Sequence, residues 1–252
     1  MLPRLVRKTI LALAMGLFVY LVAAGWGKLA AGLAAAGCLA AVGALTVWLP
    51  RAAHRAFERG DFDRAALLYA ALRHGLLDGG ARGAAEVSLA ACDLARGRYP
   101  AARRRLDRVE LGALSEAVRS AWHNNCAYAL VRAGGDADAA LEHVGRALAL
   151  RPEVVGFRHT RGVVLLALGR VDEAIGELDA VWEALEGADP PPLLEAERCF
   201  DLGSAWQSKG EPEYACDYFE RAQRAAPASI WAERAAARAE PRRRRPGSAA
   251  LP

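Results

Sequence analysis

The feature that most constrains this chain is a recurrence of similar residues at an offset of 34 positions within residues 127–181. The matched pairs are Gly135 with Gly169, Asp138 with Asp172, Ala140 with Ala174, Leu141 with Ile175, Val144 with Leu178 and Ala147 with Val181. A period of this length is typical of stacked repeats, in which each unit buries its apolar face against its neighbours. We therefore predict an array of similar units, not one compact core.

Each unit has the pattern of two short helices joined by a turn. The turns are Ala133–Asp136 and Leu168–Arg170, and the segment after each carries apolar residues every three or four positions. Ala140 and Ala174 are small enough to let two helices approach closely. Pro152 ends the first unit, because proline does not continue a helix.

A later segment carries the fullest pattern of large, small, aromatic and turn residues. Its residues are Leu202, Gly203, Trp206, Gly210, Ala215, Phe219, Ala222 and Pro227. In order and spacing the pattern resembles the tetratricopeptide repeat (TPR) family. The resemblance implies an all-α solenoid of helix pairs that binds another protein or peptide in a concave groove lined by the first helix of each pair.

Composition and charge agree with a helical protein. Apolar residues make up 54% of the chain and aromatic residues 7%, with Ala and Leu dominant. The formal net charge is +4, and Arg242 to Arg245 account for four positive charges. Because this excess lies in a tail and not on a folded face, we expect no nucleic-acid partner. The Ala- and Arg-rich usage resembles that of bacterial proteins.

We find no motif for catalysis, metal binding or cofactor binding. The five cysteines form no CxxC, which predicts neither a zinc site nor a disulfide framework, and the five histidines are scattered. A P-loop, a dinucleotide fingerprint and a nucleophile elbow are all missing from the sequence. We therefore expect no enzyme activity, no metal and no cofactor.

Two charge-free runs near the start predict a transmembrane helical hairpin. Thr9–Trp26 has 18 residues and Leu29–Leu49 has 21, with Lys28 between them. As helices they would span roughly 27 and 31 Å, close to the hydrocarbon thickness of a bilayer. The alternative is a signal peptide cleaved near Val22–Gly25, which leaves the second run as the only anchor.

The basic residues flanking these runs predict the orientation. Arg4, Arg7 and Lys8 precede the first run, and Arg51, Arg55 and Arg59 follow the second. Lys and Arg are retained on the cytoplasmic side, so both ends should face the cytoplasm, at the inner membrane if the protein is bacterial.

Turn glycines predict about five helix pairs. They are Gly60, Gly97, Gly135, Gly169 and Gly210, with loops at Leu76–Gly80 and Gly187–Pro192. Ile230–Ala239 should form a capping helix. The predicted domains are residues 1–50 as the membrane segment, 51–240 as the TPR-like solenoid and 241–252 as a disordered Arg-rich tail.

The resemblance places six candidate partner-binding residues in the groove: Asn125, Arg132, His159, Phe200, Ser204 and Gln207. Asn125 and Arg132 lie on one helical face and could hold a peptide backbone and a carboxylate. Simple solvation is the alternative for each polar residue. The lysines of the carboxylate-binding clamp found in some family members are missing, so that specificity is not implied. Arg161 replaces a large apolar residue and predicts looser packing there.

The sequence leaves two functions open. The first is a membrane-anchored, cytoplasmic protein–protein interaction module that docks a partner peptide. The alternative is a structural subunit that braces a multi-protein membrane complex. Arg242 to Arg245 could contact anionic lipid, at about 1 kcal/mol per charge near the surface, or could serve only as a solubilising terminus.

Overall fold

The computed structural model describes residues 4–75, 79–184 and 191–243. The described elements are helices, and no strand occurs among these residues. The all-α prediction is confirmed.

The chain begins with a long apolar helix that leads directly into the first repeat. Helix α1 (Arg4–Gly43) is followed by a π-helical turn (Ala44–Trp48) and then by α2 (Leu49–Glu58). Pro50 has no N–H to donate to the preceding turn, and a wider turn accommodates such a residue. The Leu49 N–H accordingly donates to the carbonyl of Ala44, five residues back.

The hairpin prediction is not shown by the structure. The described residues contain one helical stretch, Ala12–Glu58, that is long and apolar enough to cross a bilayer, and its apolar window is entirely unburied. One such helix near the start of a chain is weak evidence for a span, because a signal sequence has the same features. Within α1, Gly27 has the non-helical angles φ 88° and ψ 172°.

In the part of the chain that the structure describes, five successive helix–turn–helix segments and one further helix occur, as predicted. In chain order the segments are α2 and α3 (Phe62–Gly75), α4 (Gly79–Ala95) and α5 (Tyr99–Leu106), α6 (Glu116–Arg132) and α7 (Ala137–Leu150), α8 (Val155–Ala167) and α9 (Val171–Ala184), and α10 (Pro192–Lys209) and α11 (Pro212–Ala225). The last helix is α12 (Ile230–Arg243), and a short 3-10 turn lies at Leu111–Ala113.

The chain divides into two compact units. Unit 1 comprises residues 1–92 and 107–115, and unit 2 comprises residues 93–106 and 116–252. The core of unit 1 includes Ala56, Ala65 and Cys92. Unit 2 has one cluster around Val144 and Val164, and a second whose buried members are Ala196, Cys199, Phe200, Ala215, Phe219, Ala222, Trp231 and Ala235.

Glycines with positive φ make the turn inside each pair. They are Gly60, Gly97, Gly134, Gly169 and Gly210. The prediction of Gly135 is wrong by one residue, because Gly134 takes the left-handed conformation, with φ 69°. A residue with a Cβ is strained there, so the position requires glycine.

Three predicted boundaries differ from the structure. Gly79 and Gly80 lie in α4, and residues 76–78 of that predicted loop lie outside the described residues. Pro192 begins α10, where its missing N–H costs nothing, while residues 185–190 are not described. The last helix extends to Arg243, and residues 244–252 of the predicted tail are not described.

The repeat pattern has a small residue in the first helix of a unit, and contacts at two glycines show why it must be small. A Cβ on Gly203 would lie 2.7 Å from the Phe219 ring, and one on Gly162 would lie 2.9 Å from Leu178. Both contacts are closer than van der Waals separation. In these two pairs the first helix therefore carries glycine where the second helix places a large buried side chain.

Candidate functional site

The predicted groove residues converge on what we call the inner face of unit 2, the surface on which side chains of α6, α8 and α10 meet. Arg132 comes from α6, His159 from α8, and Phe200, Ser204 and Gln207 from α10. His159, Phe200 and Ser204 are buried, and the side chain of Arg132 is only 10% exposed. Most of the predicted groove is thus packed against other parts of unit 2.

Arg132 is held by two carboxylates. Its Nη1 and Nη2 donate to Asp201 Oδ1 and Oδ2 at 2.8 and 2.6 Å, a bidentate pair, and Nη2 also donates to Glu197 Oε1 at 3.0 Å. The guanidinium lies 4.5 Å from the ring centroid of Trp231 and 5.0 Å from that of Tyr128. The Tyr128 hydroxyl donates to Glu197.

The charges of this cluster stabilise one another. Burial disfavours the ionised form of Asp201, but the charge and hydrogen bonds of Arg132 outweigh burial and lower the pKa of its carboxyl. Burial likewise opposes the charge of Arg132, and Asp201 outweighs it, so the pKa of Arg132 is raised. Burial raises the pKa of the Tyr128 phenol well above its usual value. The pair is therefore ionised at neutral pH.

The same cluster contains three groups with metal-ligand chemistry. One donor atom each of His159, Glu197 and Asp201 lies within 4.8 Å of the others, and His159 Nε2 is 3.2 Å from Asp201 Oδ2. The guanidinium of Arg132, however, already holds both carboxylates. It supplies the positive charge that a metal ion would bring, so these residues fit an ion-pair network better than a metal centre.

The remaining groove residues contact the last helix. Phe200 packs against Trp231 of α12 with ring centroids 5.5 Å apart. Arg238 Nη1 donates to Ser204 Oγ at 3.1 Å and to Gln207 Oε1 at 3.4 Å, and its guanidinium lies 5.4 Å from the Phe200 centroid. Helix α12 thus covers the inner face at α10.

The other singled-out residues have different surroundings. Asn125 lies half-buried on α6. Arg161 donates to Glu177, so an ion pair joins α8 to α9 where the family usually has an apolar contact. The possible lipid-contact residues Arg242 and Arg243 end α12, but their side chains are not described, and Arg244 and Arg245 lie outside the described residues.

Sequence reasoning missed Tyr128, Glu197, Asp201, Trp231, Arg234 and Arg238, which form most of the contacts on this face. One signal was present. Tyr128 and Glu197, like Arg132 and Asp201, are 69 residues apart, close to two repeat units of 34. Oppositely charged side chains separated by two repeat lengths, such as Arg132 and Asp201, predict a contact between the first helices of two units that are two apart in the chain.

A histidine pair joins α6 to α7 within the same unit. His123 Nδ1 lies 3.1 Å from His143 Nδ1, and both rings contact Trp122. Burial, the neighbouring His143 and the charges of Arg146 and Arg119 lower the pKa of His123 to about 4. Burial and Arg103 lower the pKa of His143. One Nδ1 must donate and the other accept, so protonation of the acceptor breaks the bond.

This pair predicts a loss of stability in acid. Since the pKa of folded His123 is about 4 and the unfolded value is about 6.5, the unfolded chain binds more protons between these pH values. Stability should fall as pH decreases from 6.5 towards 4. His123 should contribute a slope below the ~1.4 kcal/mol per pH unit of one whole proton, because its ring is partly solvated, and His143 should add to the loss in the same direction. Urea unfolding of the full chain in detergent from pH 7 to pH 4.5 measures this slope.

His123→Gln should flatten the slope. The matched control is His54→Gln on α2, where the histidine side chain is 66% exposed and pairs with Glu58. An unchanged slope in His123→Gln, or an equal change in both variants, would contradict the prediction.

The repeat pattern is also found by comparison with known proteins. Residues 131–190 match a family model described as "Tetratricopeptide repeat", a segment that includes α7, α8 and α9. This chain is a TPR-like helical repeat protein. Such repeats are typical of protein–protein interaction modules, and no catalytic family is indicated. No curated protein sequence matches the chain at a significant level.

Several solved structures are similar to this chain, with low scores. TTC0263 of Thermus thermophilus has 21% identity and a TM-score of 0.48, covering 74% of this chain and 95% of its own. YrrB, a TPR protein "with an unusual peptide-binding site", has 18% identity and a TM-score of 0.42, covering 73% and 88%. MamA has 18% identity and a TM-score of 0.41, covering 73% and 93%.

Proposed function

We propose that this TPR-like protein is a membrane-anchored interaction module whose repeat units dock a segment of another protein on the cytoplasmic side. The observation that carries the proposal is the continuity of α1 with α2. The apolar helix passes into the first helix of the first pair without a loop, so it would hold the repeats at the membrane surface. The basic residues Arg51, Arg55 and Arg59 follow it and favour the cytoplasmic face.

A helical hairpin is our proposed form of the anchor. Gly27 breaks the helical conformation at the predicted turn. Partly or fully buried side chains follow helical spacing on both sides of it, at Met15, Val19, Val22 and Ala23 before, and at Ala30, Ala31, Ala34, Ala35 and Cys38 after. Two antiparallel helices packed through small residues would produce this pattern.

Site-specific photo-crosslinking in intact membranes tests the docking function. A photoreactive amino acid at Gln207, exposed beside the inner face, should give adducts with a defined partner protein. The matched control carries the same group at Glu220, which is exposed on α11. No adducts at Gln207, or the same adducts at both positions, would contradict the proposal. Adducts formed only from lipid-facing positions such as Leu33 would favour the bracing subunit.

Alkaline carbonate extraction tests the anchor. We expect the full chain to stay in the membrane pellet, because residues 12–58 are helical apart from the break at Gly27 and include long charge-free runs whose large apolar side chains are mostly exposed. Leu17→Arg combined with Leu39→Arg places a charge in each predicted span and should shift the chain towards the supernatant. Complete release of the unaltered chain would refute integral anchoring.

A further inference from the structure

The contacts that α12 makes with the inner face indicate which side chains this face can bind. Helix α12 places Trp231, Arg234 and Arg238 on unit 2 at positions i, i+3 and i+7, which share one face of a helix. Trp231 is 3% exposed and lies between the Phe200 ring and the Arg132 guanidinium. The two arginines extend the same row of contacts.

The two arginines donate hydrogen bonds to uncharged oxygen atoms and lie against aromatic rings. Arg234 Nη1 donates to the Tyr99 hydroxyl at 3.1 Å, and Arg238 Nη1 donates to Ser204 Oγ and Gln207 Oε1. The two guanidinium groups lie 5.9 and 5.4 Å from the centroids of Tyr99 and Phe200 respectively. The contacts found for these two guanidinium groups in the described residues are thus with neutral oxygens and aromatic rings. The surface therefore recognises guanidinium groups by ring faces and hydroxyl or amide oxygens.

Helix α12 contacts the rest of unit 2 with few large apolar side chains, namely Trp231 and the partly buried Ile230. Of its side chains, Trp231 is the only large apolar one that is buried, while its other buried residues in the described part, Ala232 and Ala235, are alanines. Small side chains bury little apolar area. A competing helix would therefore have to replace mainly the contacts of Trp231, Arg234 and Arg238.

We propose that the docking surface is the part of the inner face formed by Tyr99, Phe200, Ser204 and Gln207, and that its partner is a basic amphipathic helix with an aromatic residue followed by arginines three and seven positions later. Helix α12 is the resident occupant, and the partner displaces it. This inference rests on the proposed docking function and adds the chemistry of the partner. Binding by an amphipathic helix in a groove uses anchors at this spacing.

A peptide with the sequence of residues 228–239, labelled with fluorescein, is the probe. Binding to the full chain in detergent is followed by fluorescence anisotropy. In the unaltered chain the tethered α12 competes at an effective concentration in the millimolar range, so the peptide should bind weakly. Arg234→Ala combined with Arg238→Ala loosens α12 and should strengthen peptide binding at least tenfold. Equal binding to both chains would overturn the proposal.

Introducing a negative or a positive charge at residue 207 gives a second test, because misfolding would not produce opposite effects of the two charges. Gln207 is exposed, so Gln207→Glu and Gln207→Arg should both leave the fold intact. In the double-alanine background, Gln207→Glu should tighten peptide binding about fivefold and Gln207→Arg should weaken it by a similar factor. A peptide with both arginines replaced by glutamine should bind at least tenfold more weakly and should not respond to either change. Binding that ignores the charge at residue 207 would overturn the assigned surface.

Two further measurements separate weakened binding from unfolding, and this inference from the proposed docking function. Far-UV circular dichroism must show the same helix content in each chain, and if the double variant unfolds, Arg238→Ala alone carries the same prediction at about threefold. Photo-crosslinking at Gln207 separates this inference from the proposed function. Partner adducts that do not increase when α12 is loosened would overturn displacement while leaving the docking function in place.

Discussion

Arg132→Met should destabilise the protein by about 3–5 kcal/mol, because it leaves the carboxylate of Asp201 buried without its main partner. The Asp201 side chain is 1% exposed, and Arg132 supplies both of its short charge-assisted hydrogen bonds. Chemical unfolding of the full chain in detergent, followed by far-UV circular dichroism, measures the loss. Arg146→Met is the matched control, since Arg146 is 63% exposed in an ion pair with Glu142 and should change stability by less than about 0.5 kcal/mol.

The pH dependence gives this prediction a second signature. In the unaltered protein the pKa of Asp201 is lowered, so its contribution is present above the usual carboxyl range and is lost only as pH falls through the folded value. Without Arg132 the hydrogen bond from His159 remains, and we expect burial to outweigh it and to raise the pKa of Asp201. The penalty of Arg132→Met should therefore shrink between pH 7 and pH 5, as Asp201 takes up a proton.

Replacing both partners should cost less than replacing one. Arg132→Met with Asp201→Val removes the unpaired charge and leaves apolar groups whose combined size is close to that of the original pair. The double variant should be more stable than either single variant by at least about 1 kcal/mol. Additive losses would show that the two side chains do not act as a pair.

Phe219→Ala should lower the free energy of unfolding by about 3–5 kcal/mol, because its ring fills the space between α10 and α11. Phe219 is 2% exposed and its ring centroid lies 6.0 Å from that of Phe200. Tyr214→Ala is the matched control on the same helix, since Tyr214 is 56% exposed and stacks on Trp206. The control should cost about 1 kcal/mol or less. Equal losses in the two variants would contradict the packing described here.

Gly203→Ala tests the close approach of α10 to the Phe219 ring, because its effect on stability should change sign when that ring is removed. In the unaltered chain Gly203→Ala should destabilise by about 1–3 kcal/mol, because the new methyl would lie 2.7 Å from the Phe219 ring. In the Phe219→Ala background the clash is gone, and alanine is a better helix former than glycine by about 1 kcal/mol. Gly203→Ala should then stabilise. The same sign in both backgrounds would contradict the close approach.

The residue pattern was sufficient to predict the helix pairs, and the errors were local. Helix content, turn positions and small-to-large packing depend on neighbours within a few residues, so their spacing appears in the sequence. The shift from Gly135 to Gly134 arises because two adjacent glycines both satisfy the turn. Proline ends helices, so the sequence predicts a loop at Pro192, yet proline also suits the first turn of a helix, where Pro192 lies.

The inner face required the tertiary structure. Arg132 and His159 were predicted as open groove residues, and their side chains instead meet Asp201 in the interior of unit 2. Repeat spacing places residues on a face without saying whether that face is open. Contacts across 69 residues, or across the 135 residues between Tyr99 and Arg234, depend on how tightly successive helix pairs turn.

The sequence by itself determined that this chain is a series of helix pairs preceded by an apolar helix, since periodicity and turn chemistry are local properties. Only the tertiary structure decided that α12 covers the inner face and that a buried ion pair joins α6 to α10. The physical reason is that the curvature of a repeat stack comes from the sum of many small packing contacts between helices, and that sum sets which distant side chains meet.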